Sequence, residues 1–323
     1  MALNAEFLVD RRRLKRRLTV WRIAAILAVL GLVAAFVFQN EDIAAASGFK
    51  PQIARVSISG IIRDDRKQQA LLSDIGKARQ VKAVILRINS PGGTATGGES
   101  LFEAIRALAE EKPVVAVFGT IATSSAYMVG LASDHIVARG NSITGSVGVI
   151  LQWAEVTELL KNIGVKMEEV RSGPLKAKPS PFEPLGEPTR QLTEEMVSEA
   201  HKWFLDLVAK RRSITPLDVP GLAEGRIYSG RHALKLKLID QIGGEEEAVA
   251  YLEKKRQIQP DLTIIDWETN DGGGIGLWGA ALRTLAGFAG VPASGLSNLF
   301  PSTKVLRAVQ LDGLVSLWHP SRD

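Results

Sequence analysis

Val81-Lys82-Ala83-Val84-Ile85-Leu86-Arg87-Ile88, followed by Asn89-Ser90-Pro91-Gly92-Gly93, is the stretch whose reading decides the fold. The first eight residues form a largely apolar run of strand length, which reads as a buried strand delivering Asn89 to a glycine turn. Upstream, Ile53-Ala54-Arg55-Val56-Ser57-Ile58 is β-rich and partly alternating, as a second strand would be, and a helix from about Arg66 to Ala78 is expected between the two. Downstream, a helix from about Gly98 to Glu111 places Leu101, Ile105 and Leu108 on one face, and Pro113 to Phe118 is a short apolar strand. Further strands are expected near His135 to Ala138, Gly145 to Ile150 and Val165 to Val170, with helices near Ala154 to Ile163 and Thr193 to Arg212. Strands alternating with helices predict an α/β fold with a substantial sheet.

Three separated stretches converge on one chemistry: Asn89 to Gly93, Ala122-Thr123-Ser124-Ser125-Ala126-Tyr127, and Ser172-Gly173-Pro174-Leu175-Lys176. Gly92 and Gly93 lack side chains, so a backbone NH there can approach a developing oxyanion closely. Ser124 can attack a carbonyl once a base removes its proton, and Lys176 can be that base if burial or nearby positive charge favours its neutral amine. The Ser125 amide can be a second oxyanion donor. Ser124 follows Gly119-Thr120 at the expected start of a helix running toward Leu131, where outward NH groups and the positive dipole end favour an oxyanion. Singly, a Gly-Gly pair is most often a turn, a Ser pair a helix cap and a lysine a solvated charge. Their order and company carry the reading.

At these residues the chain resembles the signal peptide peptidase A family of membrane-anchored serine proteases, in its short, single-repeat form, over roughly residues 53 to 250. The resemblance implies a Clp protease/crotonase-like fold and a Ser-Lys dyad, with Ser124 as nucleophile and Lys176 as general base. Ile143-Thr144-Gly145-Ser146-Val147-Gly148-Val149 also matches, and implies that Ser146 orients the lysine. Gly93 and Ser125 would form the oxyanion hole, and no metal or cofactor is implied. The family also implies a homo-oligomeric ring or dome whose sites combine serine and lysine from adjacent protomers. Its substrates would be cleaved signal peptides or other extended apolar peptides at the membrane.

The match has departures. Family members often read Ala-Ser-Gly-Gly-Tyr where this chain reads Thr123-Ser124-Ser125-Ala126-Tyr127, so Ser125 stands as a rival nucleophile. Lys176-Ala177-Lys178-Pro179-Ser180-Pro181 lacks the Asp common in relatives, and Lys178 is a rival base. Ala223 to Gly230, leading through His232 to Leu238-Ile239-Asp240, also resembles a family segment and reads as scaffold.

At the N-terminus, Arg11-Arg12-Arg13-Leu14-Lys15-Arg16-Arg17 precedes an apolar or small-residue run from Ile23 to Phe38. Extended back to Val20, with Arg22 snorkelling, its length approaches the ~20 residues that span a bilayer. The basic cluster should stay cytoplasmic, which places the catalytic body on the extracytoplasmic side of a bacterial inner membrane. A cleavable secretory signal ending at Ala44-Ala45-Ala46 is the competing reading.

The expected plan is a basic arm (1–19), a transmembrane anchor (20–38), a linker (39–52), a protease domain (53–270) and a tail (271–323). Gly272-Gly273-Gly274 opens the tail, and Leu277 to Val291, rich in small and apolar residues, reads as an amphipathic segment or an ordinary surface helix.

Composition excludes several classes. At 323 residues and 46% hydrophobic, the chain can bury a core of one or two domains. The net charge of +5 arises from residues 1–22, because beyond Arg22 basic and acidic residues are equal in number, so the body has no compositional support for nucleic-acid binding. Absence of cysteine excludes a thiol nucleophile, disulfides and thiolate zinc sites, and His135, His201, His232 and His319 form no paired metal motif. Two other functions remain in comparison: a crotonase-type acyl-CoA enzyme, which needs neither the serine nor the lysine, and a non-catalytic membrane scaffold.

Overall fold

A computed structural model describes residues 17–29, 31, 50–269 and 315–317. Among these, nine strands form one sheet, with β6 (Ile227–Ser229), β5 (Ile143–Gly145), β3 (Val114–Thr123), β2 (Val81–Thr94), β1 (Gln52–Ile62) and β8 (Thr263–Asp266) in that order, and with β4 (His135–Ala138), β7 (Gln241–Ile242) and β9 (Val315–Leu317) joining it off that path. The apolar run at 81–88 lies in β2 (Val81–Thr94), near the centre, between β1 (Gln52–Ile62) and β3 (Val114–Thr123). Both pairings are parallel, each bridged by a crossover helix, α1 (Arg66–Lys77) and α2 (Ala95–Glu111).

Side chains of β2 alternate between two cores, as the strand period requires. Val84, Leu86 and Ile88 face Leu72 and Ile75 of α1, Leu101, Ile105 and Leu108 of α2, and Phe204 and Val208 of α5 (Glu187–Arg212). Ala83 and Ile85 face the other way, with Val115, Val137 and, on α7 (Glu245–Arg256), Ala248 and Leu252. Burial on both faces explains why the run is nearly all apolar. Each large side chain removed from water there contributes about 1.5–3 kcal/mol.

One edge of β3 is shared end to end by β4 (His135–Ala138), which pairs with Val115 to Phe118, and β5 (Ile143–Gly145), which pairs with Ile121 to Thr123. Beyond β3 the chain turns at Ser124 into α3 (Ser125–Leu131). β5 pairs in turn with β6 (Ile227–Ser229), so the segment read as scaffold is a sheet neighbour of the Ser146 motif. The sheet is completed by β7 (Gln241–Ile242) beside β4, β8 (Thr263–Asp266) beside β1, and β9 (Val315–Leu317) beside the end of β2. The remaining helices are α4 (Thr157–Asn162) and α6 (Gly230–Lys235).

Several expectations require correction. Gly92-Gly93 is not a turn. It continues β2 with a register shift between Ile88 and Ser90, because Ile61 and Ile62 of β1 pair with it. The strand expected over 145–150 ends at Gly145, where positive φ at Gly145 (89°) and Ser146 (53°) bends the chain out of the sheet. Residues 165–170 form no strand, and Val170 is fully exposed. The apolar character of that run therefore does not report a sheet position.

The expected anchor over 20–38 is not shown. Residues 17–29 are helical and exposed, and among the described residues no helix is long and apolar enough to cross a membrane. Except for Gly31, the rest of that span lies outside the described residues, as do the Gly272-Gly273-Gly274 link and the segment 277–291.

Candidate active site

Ser124 stands where β3 ends and α3 begins, with φ 58° and ψ −124°. A residue with a Cβ rarely adopts this conformation, which costs on the order of 1–3 kcal/mol and persists only where its surroundings enforce it. Here they do. The Ser124 amide donates to the Gly145 carbonyl at 2.8 Å, and its carbonyl accepts from the Met128 amide at 3.0 Å. A strained serine on a strand-to-helix turn is the geometry in which a nucleophilic hydroxyl is held out from the backbone.

The helix behind it is fixed by close packing. Gly98 of α2 lies so near α3 that a Cβ there would meet the Ser125 Cβ at 2.7 Å. Tyr127, fully buried, donates its hydroxyl to the Leu238 carbonyl at 2.9 Å. Burial raises its phenol well above the ordinary value, so it stays protonated and remains a donor.

Leu238 is held in turn by an ion pair. Arg212 makes a two-pronged contact with Asp240 (2.7 and 3.0 Å) and donates to the Lys237 carbonyl at 2.7 Å, while Asp240 also accepts from the Ile136 amide at 2.8 Å. Burial pushes the Asp240 carboxyl up, but the Arg212 bond and charge outweigh it and hold the carboxyl below its ordinary value.

The glycine motif reaches Ser124 through the sheet. Ser90 pairs with Ala122, and Thr123 Oγ1 donates to the Pro91 carbonyl at 3.0 Å. Ser90, fully buried, donates to the Gly60 carbonyl at 2.6 Å and accepts from the Gly92 amide at 3.1 Å, tying the stretch to β1. Gly92 adopts φ 113°, and a Cβ on Gly93 would lie 1.8 Å from the Ile62 carbonyl oxygen, so neither position accepts a side chain. Ser125, the other expected oxyanion donor, is the first residue of α3. Its amide therefore precedes the helix's own hydrogen-bond ladder.

Ser146 arrives from the other side. Thr123 pairs with Gly145, so Ser146 begins the chain's exit beside the serine corner, its amide donating to the Arg226 carbonyl at 2.9 Å. Gly93, Ser124, Ser125 and Ser146 are thus gathered around the end of β3. Among the described residues, no polar contact joins Lys176 to them. It is exposed, and among the described residues its polar contact is the backbone NH to the Gly173 carbonyl at 3.2 Å. Lys178, the rival base, is bound to Glu183, which also pairs with Arg171 at 2.9 Å. The Lys178 bond and then that of Arg171 hold the Glu183 carboxyl below its ordinary range. Lys178 is thereby committed to a carboxylate partner.

Sequence reasoning missed Ser90, Thr123 and the Arg212-Asp240 pair. The two hydroxyls stand inside runs that read as strand and motif, and nothing in their spacing signals that both lock the glycine stretch.

Comparisons with known proteins identify the family. The model of Peptidase family S49 matches residues 106–259, a span that holds Ser124, Ser146 and Lys176. The chain is 35% identical over 211 residues to a putative protease of Methanocaldococcus jannaschii, covering 65% of this chain and 68% of that one. It is 33% identical over 244 residues to a putative signal peptide peptidase SppA of Enterococcus faecium, covering 70% of each. Among solved structures, a mutant of the 1510-N membrane-bound stomatin-specific protease aligns with TM-score 0.46 and 13% identity, over 68% of this chain and 98% of that chain. The chain is a peptidase and belongs to peptidase family S49, the signal peptide peptidase A family.

Proposed function

We propose that the chain is a serine endopeptidase in which Ser124 attacks the peptide carbonyl while Lys176 takes its proton and returns it to the leaving amine. Ser146 orients Lys176, and the amides of Gly93 and Ser125 receive the oxyanion of the tetrahedral intermediate. Water then releases the acyl group by the same steps in reverse order. The observation that carries this reading is the strained backbone of Ser124 at a corner flanked by the glycine stretch on one side and the Ser146 motif on the other.

The base must work as a neutral amine and so needs a dry place, whereas Lys176 is exposed in the single chain. A second copy supplies it. The stretch that carries Lys176 leaves Ile150, Leu159, Ile163, Val165, Met167 and Val170 exposed, an apolar surface suited to burial against a neighbouring protomer. Each site of the homo-oligomer then combines Ser124 of one copy with Lys176 of the next.

The substrates are extended apolar peptides at the membrane, cleaved signal peptides among them. The name of the Enterococcus faecium relative and the basic-then-apolar order of residues 11–38 support this. The chain is anchored through residues 20–38, with its catalytic body on the extracytoplasmic side.

The test is cleavage of a fluorogenic apolar peptide by the purified full chain beside Ser124→Ala, Ser125→Ala, Lys176→Ala and Lys178→Ala. Loss confined to the Ser124 and Lys176 variants is expected. Retained activity in either overturns its role.

A further inference from the structure

At Gly92 to Thr94 the two edges of β2 have different partners. One carries β1, through Ile61 and Ile62. The other carries β3 as far as Ser90, where β3 turns away into the Ser124 corner and leaves that edge without its strand. The vacated edge is filled by β9, which runs antiparallel with Leu317 opposite Gly92, Ser316 opposite Gly93 and Val315 opposite Thr94. Val315–Leu317 thus lies as an extended strand on the stretch whose Gly93 amide would bind the oxyanion, with Leu317, opposite Gly92, at the end toward Ser90 and its β3 partner Ala122.

An extended peptide reaching Ser124 would need that same edge. Backbone pairing is indifferent to side chains, so any strand, internal or external, can add to an exposed edge.

We propose that the chain carries its own occupant of a polypeptide-binding edge at Gly92 to Thr94, the strand Val315–Leu317, which competes with peptide substrate for the site. The competition for substrate rests on the endopeptidase reading, whereas the docking of the tail does not. A resident ligand lowers apparent affinity by the fraction of sites it leaves open, so a tail filling roughly nine sites in ten raises KM about tenfold without changing kcat.

Two full-length variants and one shortened chain test this. Consecutive amides of a strand point to opposite edges, so one of Ser316→Pro and Leu317→Pro must remove an NH aimed at β2. A chain ending at Leu311 removes the strand altogether. In the Ser124→Ala background, hydrogen exchange at residues 92–94 is expected to quicken in the shortened chain and in at least one proline variant. With Ser124 present, the same variants should show KM for the fluorogenic peptide lowered several-fold at unchanged kcat, and a synthetic peptide of residues 309–320 should inhibit the shortened chain competitively. Unchanged exchange at 92–94 overturns the docking. Faster exchange with unchanged KM overturns the competition. A chain that cleaves nothing in any form, yet exchanges faster when shortened, retains the docking and overturns the endopeptidase reading instead.

Discussion

Thr123 Oγ1 donates to the Pro91 carbonyl at 3.0 Å and thereby fastens the residue before the serine corner to the residue before Gly92-Gly93. Oxyanion donors help only if they stand where the oxygen will be in the transition state, so in the proposed mechanism this bond helps set the distance between the Ser124 nucleophile and its cradle. Thr123→Val keeps the shape and removes the donor. A neutral hydrogen bond is worth about 0.5–1.5 kcal/mol, so kcat should fall up to roughly tenfold with KM little changed, and Thr123→Ser should restore it. Steady-state kinetics on the fluorogenic peptide check this. A change in KM alone would assign Thr123 to ground-state binding.

Gly93→Ala places a methyl against the Ile62 carbonyl oxygen, at a distance no packing tolerates. β1 and β2 must part locally, with a cost of roughly 1–3 kcal/mol, and the Gly93 amide, the proposed oxyanion donor, moves with them. Denaturant unfolding should register the first effect and loss of peptide cleavage the second.

In the proposed mechanism Ser124→Gly and Ser124→Ala abolish attack equally, and backbone strain separates them. Glycine adopts φ 58°, ψ −124° readily, whereas alanine bears the same strain as serine. Ser124→Gly should therefore unfold at higher denaturant than Ser124→Ala, by roughly 1 kcal/mol after the added freedom of the unfolded chain is set against the relief. Equal midpoints would show that the corner is not strained.

The Arg212-Asp240 pair makes stability depend on pH. The folded carboxyl titrates below the ordinary ~3.9, so its contribution is fully present above that value and is lost as pH falls through the lowered folded value. Asp240→Asn should cost roughly 1–3 kcal/mol near neutrality, and its difference from the parent should shrink as pH falls below the ordinary carboxyl range. Urea titrations at several pH values measure both.

Much of this architecture was legible because burial on both faces writes itself into composition. Val81 to Ile88 had to be a central strand, and Leu101, Ile105 and Leu108 had to share a helix face. Gly92-Gly93 read as a turn because glycine pairs usually are, yet partners distant in sequence, β1 and β9, keep the stretch extended. Residues 165–170 looked like a strand for the same compositional reason and have no place in the sheet. The Ser124 and Ser146 motifs were visible as motifs, while the bonds that hold them, from Thr123, Ser90 and Tyr127, depend on register and packing that no local spacing encodes.

The central claim is that Ser124 is the nucleophile and Lys176 its base. Its most direct test is to treat the full-length protein with a serine-directed acylating probe and locate the adduct by mass spectrometry. Label is expected on Ser124 and not on Ser125, with labelling lost in Lys176→Ala but not in Lys178→Ala. An adduct on Ser125, or labelling of Ser124 that is indifferent to Lys176, would contradict it.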